Sequence, residues 1–256
     1  MIPTDDQVPS GSTNFARSAA ADVTVGIGFP IDGLKLDDVS VSGSNYTLSD
    51  DSCSITIKKE YLAGLSNGTK TFEIDLDDDE TYVLWDVVIS GAVAKTFARG
   101  EAADVAVTYA DAEITGLKYQ DAAVDASSYA VSNSNHTITI KKEYLATLSN
   151  GAKTFKVLEG ESDYDEITVT ISGNGSASFS KAAPADITIT VADAEITGLK
   201  IGGTNVNPDN YTIAEGAHSI TIDDEYLGGL ANGEKTFKVQ LEDGEDELTY
   251  IVTVGD

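Results

Sequence analysis

The chain has 256 residues, of which 41% are apolar and 23% are charged, and its formal net charge is −27. A surface this acidic repels nucleic-acid phosphates and anionic lipid, so neither nucleic acid nor a membrane is a predicted partner. The one cysteine, Cys53, excludes an intrachain disulfide and a thiolate zinc cluster, and no apolar run approaches the ~20 residues of a membrane span.

The chain opens with residues 1–12, a Pro- and Gly-containing segment that is predicted to be a disordered lead-in. After it, one sequence unit occurs three times. The segment that begins at Phe15 recurs at Phe97 and Phe179, in steps of 82 residues. A period of this length suits a small independent domain better than a solenoid repeat. The short Gly-, Ser- and Ala-rich linkers predict domains stacked end to end in a stiff rod. The predicted domains are residues 13–91, 95–173 and 177–256.

Within each unit, apolar and Thr-rich positions alternate with a period of two. Residues 105–109, 137–140 and 166–171 show this alternation in the second unit. Strands with one apolar face and one polar face are typical of antiparallel sheets that are covered on one side. Several such strands separated by turns predict an all-β chain of three tandem immunoglobulin-like β-sandwich domains.

One helical crossover interrupts the strands of every unit. Residues 58–65 and 141–148 share the pattern Lys-Lys-Glu-Tyr-Leu-Ala-x-Leu, and residues 223–230 keep its Glu-Tyr-Leu core. In the first copy Tyr61 and Leu65 are four residues apart, which places them on one face of a short helix. We expect this helix to close one end of each sandwich, and the Asn-Gly that follows it to end the turn.

The segment from Ser128 to Gly151, with the Lys-Thr-Phe after it, resembles the immunoglobulin-like X-two module (CBM-X-two). The opening segment from Phe97 to Val105 is similar to the first strand of that family. Such modules accompany cohesins and cellulases in bacterial cellulosomal scaffoldins and other surface proteins. The resemblance implies a non-catalytic module of a secreted or surface-attached bacterial protein, acting as a spacer, a solubiliser or a polysaccharide binder. No basic and apolar leader opens the chain, and it contains no anchoring motif.

Two groups of residues that could bind a ligand are weighed against structural roles. His136 and His218 occupy equivalent positions, which Cys53 fills in the first unit, so a shared metal site or a Cys–His pair is not expected. We predict that all three point inward at a tolerant edge position. Trp85 shares the strand parity of core residues and is predicted to pack there. Two tyrosines have the opposite, exposed parity and are candidate sugar-binding residues: Tyr82 and Tyr164.

Acidic turns between two strands of each unit are candidate Ca²⁺ sites, because Ca²⁺ prefers clustered oxygen ligands. The first turn copies the opening spacing of an EF-hand loop, but Glu80 stands where that loop needs Gly. A looser Ca²⁺ site and a solvated acidic hairpin both remain open. The candidate ligands are Asp75, Asp77, Asp79, Glu161, Asp163, Asp243 and Glu245.

The sequence favours a function without catalysis. A unit of ~80 residues has little room for a deep cleft, and an enzyme would need a polar cluster confined to one copy, which we do not expect. No catalytic residue and no cofactor other than Ca²⁺ is therefore predicted. The main prediction is an acidic structural spacer of an extracellular or cell-surface protein. The alternatives are a polysaccharide-binding module and a subunit of an extracellular filament, with polysaccharide or neighbouring domains and subunits as partners.

Overall fold

A computed structural model describes residues 10–77, 81–101, 103–159, 163–216, 218–242 and 248–256. Unit 1 contains β1 (Gly11–Ala16), β2 (Val23–Gly26), β3 (Ile31–Leu36), β4 (Val39–Ser40), β5 (Tyr46–Leu48), β6 (Ser54–Ile57), α1 (Lys59–Ala63), β7 (Gly68–Leu76) and β8 (Tyr82–Ser90). Unit 2 contains β9 (Val93–Ala98), β10 (Val105–Thr108), β11 (Ile114–Tyr119), β12 (Ala122–Ala123), β13 (Tyr129–Ser132), β14 (Thr137–Ile140), α2 (Lys142–Leu145), β15 (Gly151–Glu159) and β16 (Asp163–Ser172).

Unit 3 contains β17 (Gly175–Ser180), β18 (Ile187–Thr190), β19 (Ile196–Ile201), β20 (Thr204–Asn205), β21 (Tyr211–Ile213), β22 (Ser219–Ile222), α3 (Asp224–Gly229), β23 (Gly233–Leu241) and β24 (Leu248–Gly255). Short 3₁₀ turns lie at Arg17–Ala19, Arg99–Glu101, Ala126–Ser128, Asn133–Asn135 and Pro208–Asn210. Among the described residues no helix has the length and apolarity that crossing a membrane requires.

Each unit is a sandwich of a five-stranded and a three-stranded sheet. The strand orders are β1-β8-β7-β3-β4 and β2-β6-β5 in unit 1, β9-β16-β15-β11-β12 and β10-β14-β13 in unit 2, and β17-β24-β23-β19-β20 and β18-β22-β21 in unit 3. The apolar stripes of the two sheets face each other in a separate core for each unit. The predicted fold class, three tandem all-β sandwiches of immunoglobulin type, is confirmed.

The period-two alternation places one residue type on each face of the strands. Phe72, Phe155 and Phe237 occupy the same position in the three cores and are completely buried. On the outer face of the small sheets, threonine hydroxyls pair across the strands; Thr108 and Thr137, for example, are 2.7 Å apart. Alternation therefore separates the apolar core from the polar surface in every copy.

The helical crossover closes one end of each sandwich, as predicted. Leu62 and Leu65 of unit 1 are buried under α1, and Leu145 and Leu148 take the same places in unit 2. The helices are only four to six residues long. Their stability therefore comes from packing of this apolar face and not from helix propensity.

The first strand of each unit lies parallel to the last one. β1 pairs with β8, β9 with β16 and β17 with β24, each over six residue pairs. Trp85 of β8 is partly buried against the core, as its parity predicts, and its indole Nε1 donates to Thr13 Oγ1 at 3.1 Å. A side chain at Gly11, the strand partner of Trp85, would collide with the indole ring.

The connections between units are shorter than the predicted linkers. Only residues 91–92 and 173–174 lie between the last strand of one unit and the first strand of the next. The residues that follow each two-residue connection are mostly small, which is typical of a linker. In the structure they belong to β9 and β17 and are hydrogen-bonded to the last strand of their own unit. Of the predicted lead-in, residues 1–9 lie outside the described residues, and β1 already begins at Gly11.

Candidate functional site

Tyr82 lies on the outer face of the five-stranded sheet of unit 1, with 51% of the side chain exposed. Its partner on β7 is Asp75, which accepts a hydrogen bond from Lys35 Nζ at 2.9 Å, and the same ammonium donates to Glu73 at 2.7 Å. These two bonds raise the pKa of Lys35. Together with Asp32, these residues line a groove of about 310 Å³, which we call the Tyr82 groove.

Tyr164 occupies the equivalent face of unit 2 and is 46% exposed. The ammonium of Lys156 lies 5.0 Å from the centroid of the Tyr164 ring, a cation–π distance that orients the ring. Lys156 also donates to Asp121 at 2.6 Å. Unit 3 has Glu247 in place of this tyrosine, and Glu247 lies outside the described residues. The structure therefore brings an exposed aromatic ring together with paired charges on two of the three units.

The candidate Ca²⁺ ligands are described only in part. The carboxylate of Asp75 is occupied by Lys35, and Asp77 is exposed, with its backbone N–H donating to the Pro30 carbonyl. Within the described parts of the chain, no three His, Cys, Asp or Glu residues are grouped as a metal site requires. Binding of Ca²⁺ stays a prediction. The remaining candidates Asp79, Glu161, Asp243 and Glu245 lie outside the described residues, and only the backbone of Asp163 is described.

The two histidines and the cysteine occupy one equivalent place, immediately before β6, β14 and β22. His136 Nδ1 lies 2.7 Å from the Ala112 carbonyl oxygen, and His218 Nδ1 lies 3.1 Å from the corresponding carbonyl of Ala194. His218 is exposed, so the predicted inward orientation is wrong for this copy. In both units the imidazole forms a hydrogen bond with the carbonyl of a loop residue. An exposed side chain can form this bond as well as a buried one.

Units 1 and 2 meet at a joint centred on Asp111. Its carboxylate accepts hydrogen bonds from the backbone N–H of Ser66 at 2.7 Å and from the Ser66 hydroxyl at 3.2 Å. The ammonium of Lys70 lies 2.5 Å from Asp111 Oδ2. The backbone N–H of Ala110 donates to the Gly64 carbonyl at 2.9 Å. Asp111 and Lys70 have only 9% and 14% of their side chains exposed, so this ion pair is largely desolvated.

Units 2 and 3 meet in the same way around Asp193. The Ser149 amide donates to Asp193 at 2.6 Å, and the Lys153 ammonium lies 2.7 Å from the carboxylate. The Ser149 hydroxyl donates to Asp193 Oδ2 at 3.1 Å, and the hydroxyl of Tyr119 adds a fourth donor at 3.2 Å. Burial of Asp193 favours the protonated form, but the bonds from Lys153 and Ser149 outweigh it and hold the pKa of Asp193 below its usual value. The two joints therefore share an Asp, a Ser and a Lys at equivalent positions, and the tyrosine is added only in the second.

An arginine after the first strand of units 1 and 2 fixes the end of the helix of its own unit to the exit connection. Arg17 donates to the Ala63 and Leu65 carbonyls at the end of α1, to the Asn67 side chain and to the Gly91 carbonyl. These bonds satisfy carbonyls that the helix end leaves without partners. Arg99 makes the four equivalent bonds in unit 2, to Ala146, Leu148, Asn150 and Gly173.

The first joint also contains a polar cluster of unit 2, made of the buried Tyr109 and Asp165 and the half-buried Glu159. Asp165 is completely buried. Its carboxylate accepts a hydrogen bond from the backbone N–H of Asn67 at 2.8 Å and lies 3.7 Å from the guanidinium of Arg17. Burial, and then the hydrogen bond and charge of Asp165, raise the pKa of Glu159 to about 8. Burial likewise raises the pKa of Tyr109. Among the described residues, the buried side-chain oxygens without a hydrogen-bond partner are Tyr109 Oη, Glu159 Oε1 and Asp165 Oδ2.

This cluster was missed at the sequence level, and the expectation that no polar cluster is confined to one copy is wrong for unit 2. The signal is nevertheless present in the repeat alignment. Glu159 stands where units 1 and 3 have Leu76 and Leu241, and Asp165 stands where they have Val83 and Leu248. A carboxylate at a position that is apolar in the other copies marks a place where burial must be compensated by a partner.

Comparison with protein families gives one match. The model described as "Carbohydrate binding domain X2" matches twice in tandem, at residues 92–169 and 171–251. The two matches correspond closely to units 2 and 3, and together they cover more than half of the chain. No curated protein sequence matches the chain.

Comparison with solved structures finds several proteins built of more than one module. A tri-modular endo-beta-1,4-glucanase from Bacillus licheniformis is 16% identical, with a TM-score of 0.28; the match covers 63% of this chain and 37% of the enzyme. The SGBP-B protein of the Bacteroides ovatus mixed-linkage glucan utilization locus, in complex with a mixed-linkage heptasaccharide, is 16% identical over 99% of this chain and 68% of that one, with a TM-score of 0.31. An I-band fragment from titin is 11% identical over 97% and 96%, with a TM-score of 0.23.

Proposed function

Because the chain belongs to the carbohydrate binding domain X2 family, we propose that it binds polysaccharide without catalysing its cleavage. The binding surfaces are the outer faces of the five-stranded sheets of units 1 and 2. Such a role places the protein outside the cell or at its surface, where polysaccharide is found. The family membership supports the ligand class, and the exposed tyrosines support the place.

The observation that carries the proposal is the combination of groups in the Tyr82 groove. Tyr82 offers a flat apolar ring with a hydroxyl at its edge, and about half of it is accessible to a ligand. Lys35, Glu73 and Asp75 hold fixed donors and acceptors next to the ring. A sugar ring presents apolar C–H faces and a rim of hydroxyls, so it needs both kinds of contact at once.

The shape of the grooves favours binding over catalysis. The Tyr82 groove lies on the face of a sheet, and the cores beneath it are closed by Phe72 and Ile74, which are completely buried. A hydrolase of polysaccharides needs a cleft that places two carboxyl groups on either side of the scissile bond and admits a water molecule. A shallow face with one aromatic platform instead suits reversible attachment to an exposed polymer.

Binding to β-glucan tests the proposal. The full chain is mixed with insoluble and with soluble β-glucan, and bound protein is measured by pull-down and by affinity electrophoresis. Tyr82→Ala together with Tyr164→Ala is expected to abolish binding, and Tyr→Phe at both positions is expected to retain much of it, because the ring is kept. Val39→Ala, which alters an exposed apolar residue on an edge strand, is the matched control. Equal binding by the double alanine variant and the control would disprove the proposed surface.

A spacer function is the second candidate, and the joints favour it. Asp111 and Asp193 fix adjacent units through buried ion pairs and backbone hydrogen bonds. A chain with such joints holds whatever lies at its two ends at a set distance. Small-angle X-ray scattering of the chain should then give one maximum dimension that is independent of temperature below unfolding. A broad distribution of dimensions would count against the spacer.

A further inference from the structure

The outer faces of units 1 and 2 meet at the first joint and enclose one groove between them. The groove has a volume of about 490 Å³ and is lined by Asn67, Thr69 and Lys70 of unit 1 and by Glu159 and Tyr164 of unit 2. We call it the joint groove. Because it takes residues from both units, it exists only while the joint is closed.

The joint groove continues the face that carries the Tyr82 groove. Alternate residues of β7 point outward, so Thr69, Glu73 and Asp75 share one side of the sheet, and Asp75 is paired with Tyr82. From Thr69 to Asp75 the strand advances about 20 Å at ~3.3 Å per residue. One uninterrupted surface therefore leads from Tyr82 along β7, through the joint groove, to the ring of Tyr164.

The first joint holds the two tyrosines at a fixed separation. Asp111 accepts from the Ser66 amide and pairs with Lys70, and Arg17 reaches Asp165 from the other unit. When two binding platforms are held at a fixed distance, the second contact with one long ligand becomes intramolecular. Its effective concentration is then high, and overall affinity rises without any new contact.

The chemistry of the surface selects an uncharged ligand. Three acids along it are neutralised by lysines: Glu73 and Asp75 by Lys35, and Asp121 by Lys156. The chain as a whole carries a formal charge of −27, which repels polyanionic glycans. The path offers two aromatic rings, the ion-paired Lys35, Glu73 and Asp75, and hydroxyls and amides, which suit the faces and hydroxyls of neutral sugars.

We propose that one extended, neutral polysaccharide chain lies along this surface and contacts Tyr82 and Tyr164 at the same time, crossing the joint groove. The inference rests on the proposed function and adds to it the length of the ligand and the requirement for a closed joint. Unit 3 does not extend the surface, because its sequence has Glu247 at the position of Tyr164 and Leu241 at that of Glu159.

The test compares a short cello-oligosaccharide, which reaches one tyrosine, with a long soluble β-glucan, both titrated calorimetrically into the full chain. The long ligand is expected to bind about 100-fold more tightly per chain. Tyr82→Ala and Tyr164→Ala should each lower the affinity for the long ligand to about that for the short one, and the double variant should bind neither ligand. Single variants that keep the full preference for the long ligand would overturn the inference.

The joint itself is tested with a matched pair of variants. Asp111→Ala is expected to weaken binding of the long ligand about tenfold and leave the short ligand unchanged, because only the link between the two platforms is loosened. Asp193→Ala makes the same change at the second joint and should affect neither ligand. Equal effects of the two variants on the long ligand would refute the role of the first joint. If Asp111→Ala does not fold, the comparison of the single and double tyrosine variants tests the inference by itself.

Failure of the inference and failure of the proposed function give different results. If the short and long ligands bind with equal affinity, polysaccharide binding stands and the two-platform surface is refuted. If neither ligand binds, or if both bind independently of the tyrosines, the proposed function itself is refuted.

Discussion

The Oδ2 atom of Asp111 lies 2.5 Å from Nζ of Lys70, although the two residues belong to different units. Lys153 and Asp193 form the same pair at the second joint, at 2.7 Å. Each carboxylate also accepts a bond from a backbone amide of the preceding unit. Hydrogen bonds are directional, so a joint of this kind fixes an angle between units, which an apolar contact of the same size would do less well.

Replacing Asp193 tests how strongly a joint is held. Asp193→Ala should lower the free energy of unfolding by about 3 kcal/mol, because it leaves the buried Lys153 ammonium without an opposite charge. Urea unfolding measures this change, and hydrogen exchange at the Ser149 amide should report loss of protection at the joint itself. Asp121→Ala removes the acid of an exposed pair with Lys156 and should change neither quantity measurably. Equal loss in the two variants would contradict a specific role for the joint.

The acid pair at the first joint predicts a dependence of stability on pH. The pKa of Glu159 is raised to about 8 from its ordinary 4.5, so the folded chain keeps a proton that the unfolded chain has released. Stability is therefore expected to fall as pH rises from about 4.5 to about 8 and to level off above that. The measurement is the midpoint of thermal unfolding as a function of pH.

The variant Glu159→Leu introduces the residue that units 1 and 3 carry at this position. It should remove this part of the pH dependence and stabilise the chain at pH 8 by roughly 2 kcal/mol, a value that allows for solvent screening of a half-buried group. Glu159→Gln is the polar control and should also flatten the profile. An unchanged slope in both variants would show that the acid pair does not hold a proton.

Two glycines make room for aromatic rings next to the first strands. An added Cβ at Gly175 would collide with the ring of Tyr250, so Gly175→Ala should cost about 1–3 kcal/mol of stability. Unit 2 has Val93 and Ile167 at these places. The double change Gly175→Val with Tyr250→Ile should therefore be much less destabilising than Gly175→Val alone. A double-mutant cycle in urea measures the coupling, and additive effects would contradict the steric explanation.

We expect that the arginine at the helix end of unit 2 cannot be replaced by lysine without loss of stability. Arg99 bonds four acceptors at once with its planar guanidinium, and a lysine ammonium cannot reach them all. Arg99→Lys should therefore destabilise unit 2 by about 2 kcal/mol. It should also speed proteolysis between α2 and β15, where residues 146–150 lose their bonds. Lys181 stands at this position in unit 3, so Lys181→Arg is the reciprocal control and should change little.

Much of the fold could be predicted because its signals are local and repeated. The alternation in residues 105–109 and 166–171 depends only on which side of a strand each residue faces, and three copies confirm the pattern. The helix at Lys59–Ala63 was predictable from the spacing of Tyr61 and Leu65. The start of β9 at Val93 could not be predicted, because the small residues around it are typical of a linker and their pairing with a parallel strand is not visible in the sequence.

The joints could not be predicted, because they depend on the distance between units. Asp111 and Asp193 are two acids among 43, and nothing local distinguishes them from the solvated ones. The sequence instead predicted sites at the acidic turns, because a cluster of charged residues can be recognised in a sequence and the burial of a single acid cannot. Glu159 and Asp165 were detectable by comparing copies position by position, which shows that departures from a repeat carry information.

The pairing of each entry strand with the exit strand of its own unit has a mechanical consequence. Because β9 and β16 run parallel, a force that pulls on the chain at both ends slides these strands along each other. The six residue pairs of this ladder then share the load together, whereas a hairpin pulled at its open end would unzip one rung at a time. Each unit thus resists stretching along the direction in which its neighbours are attached.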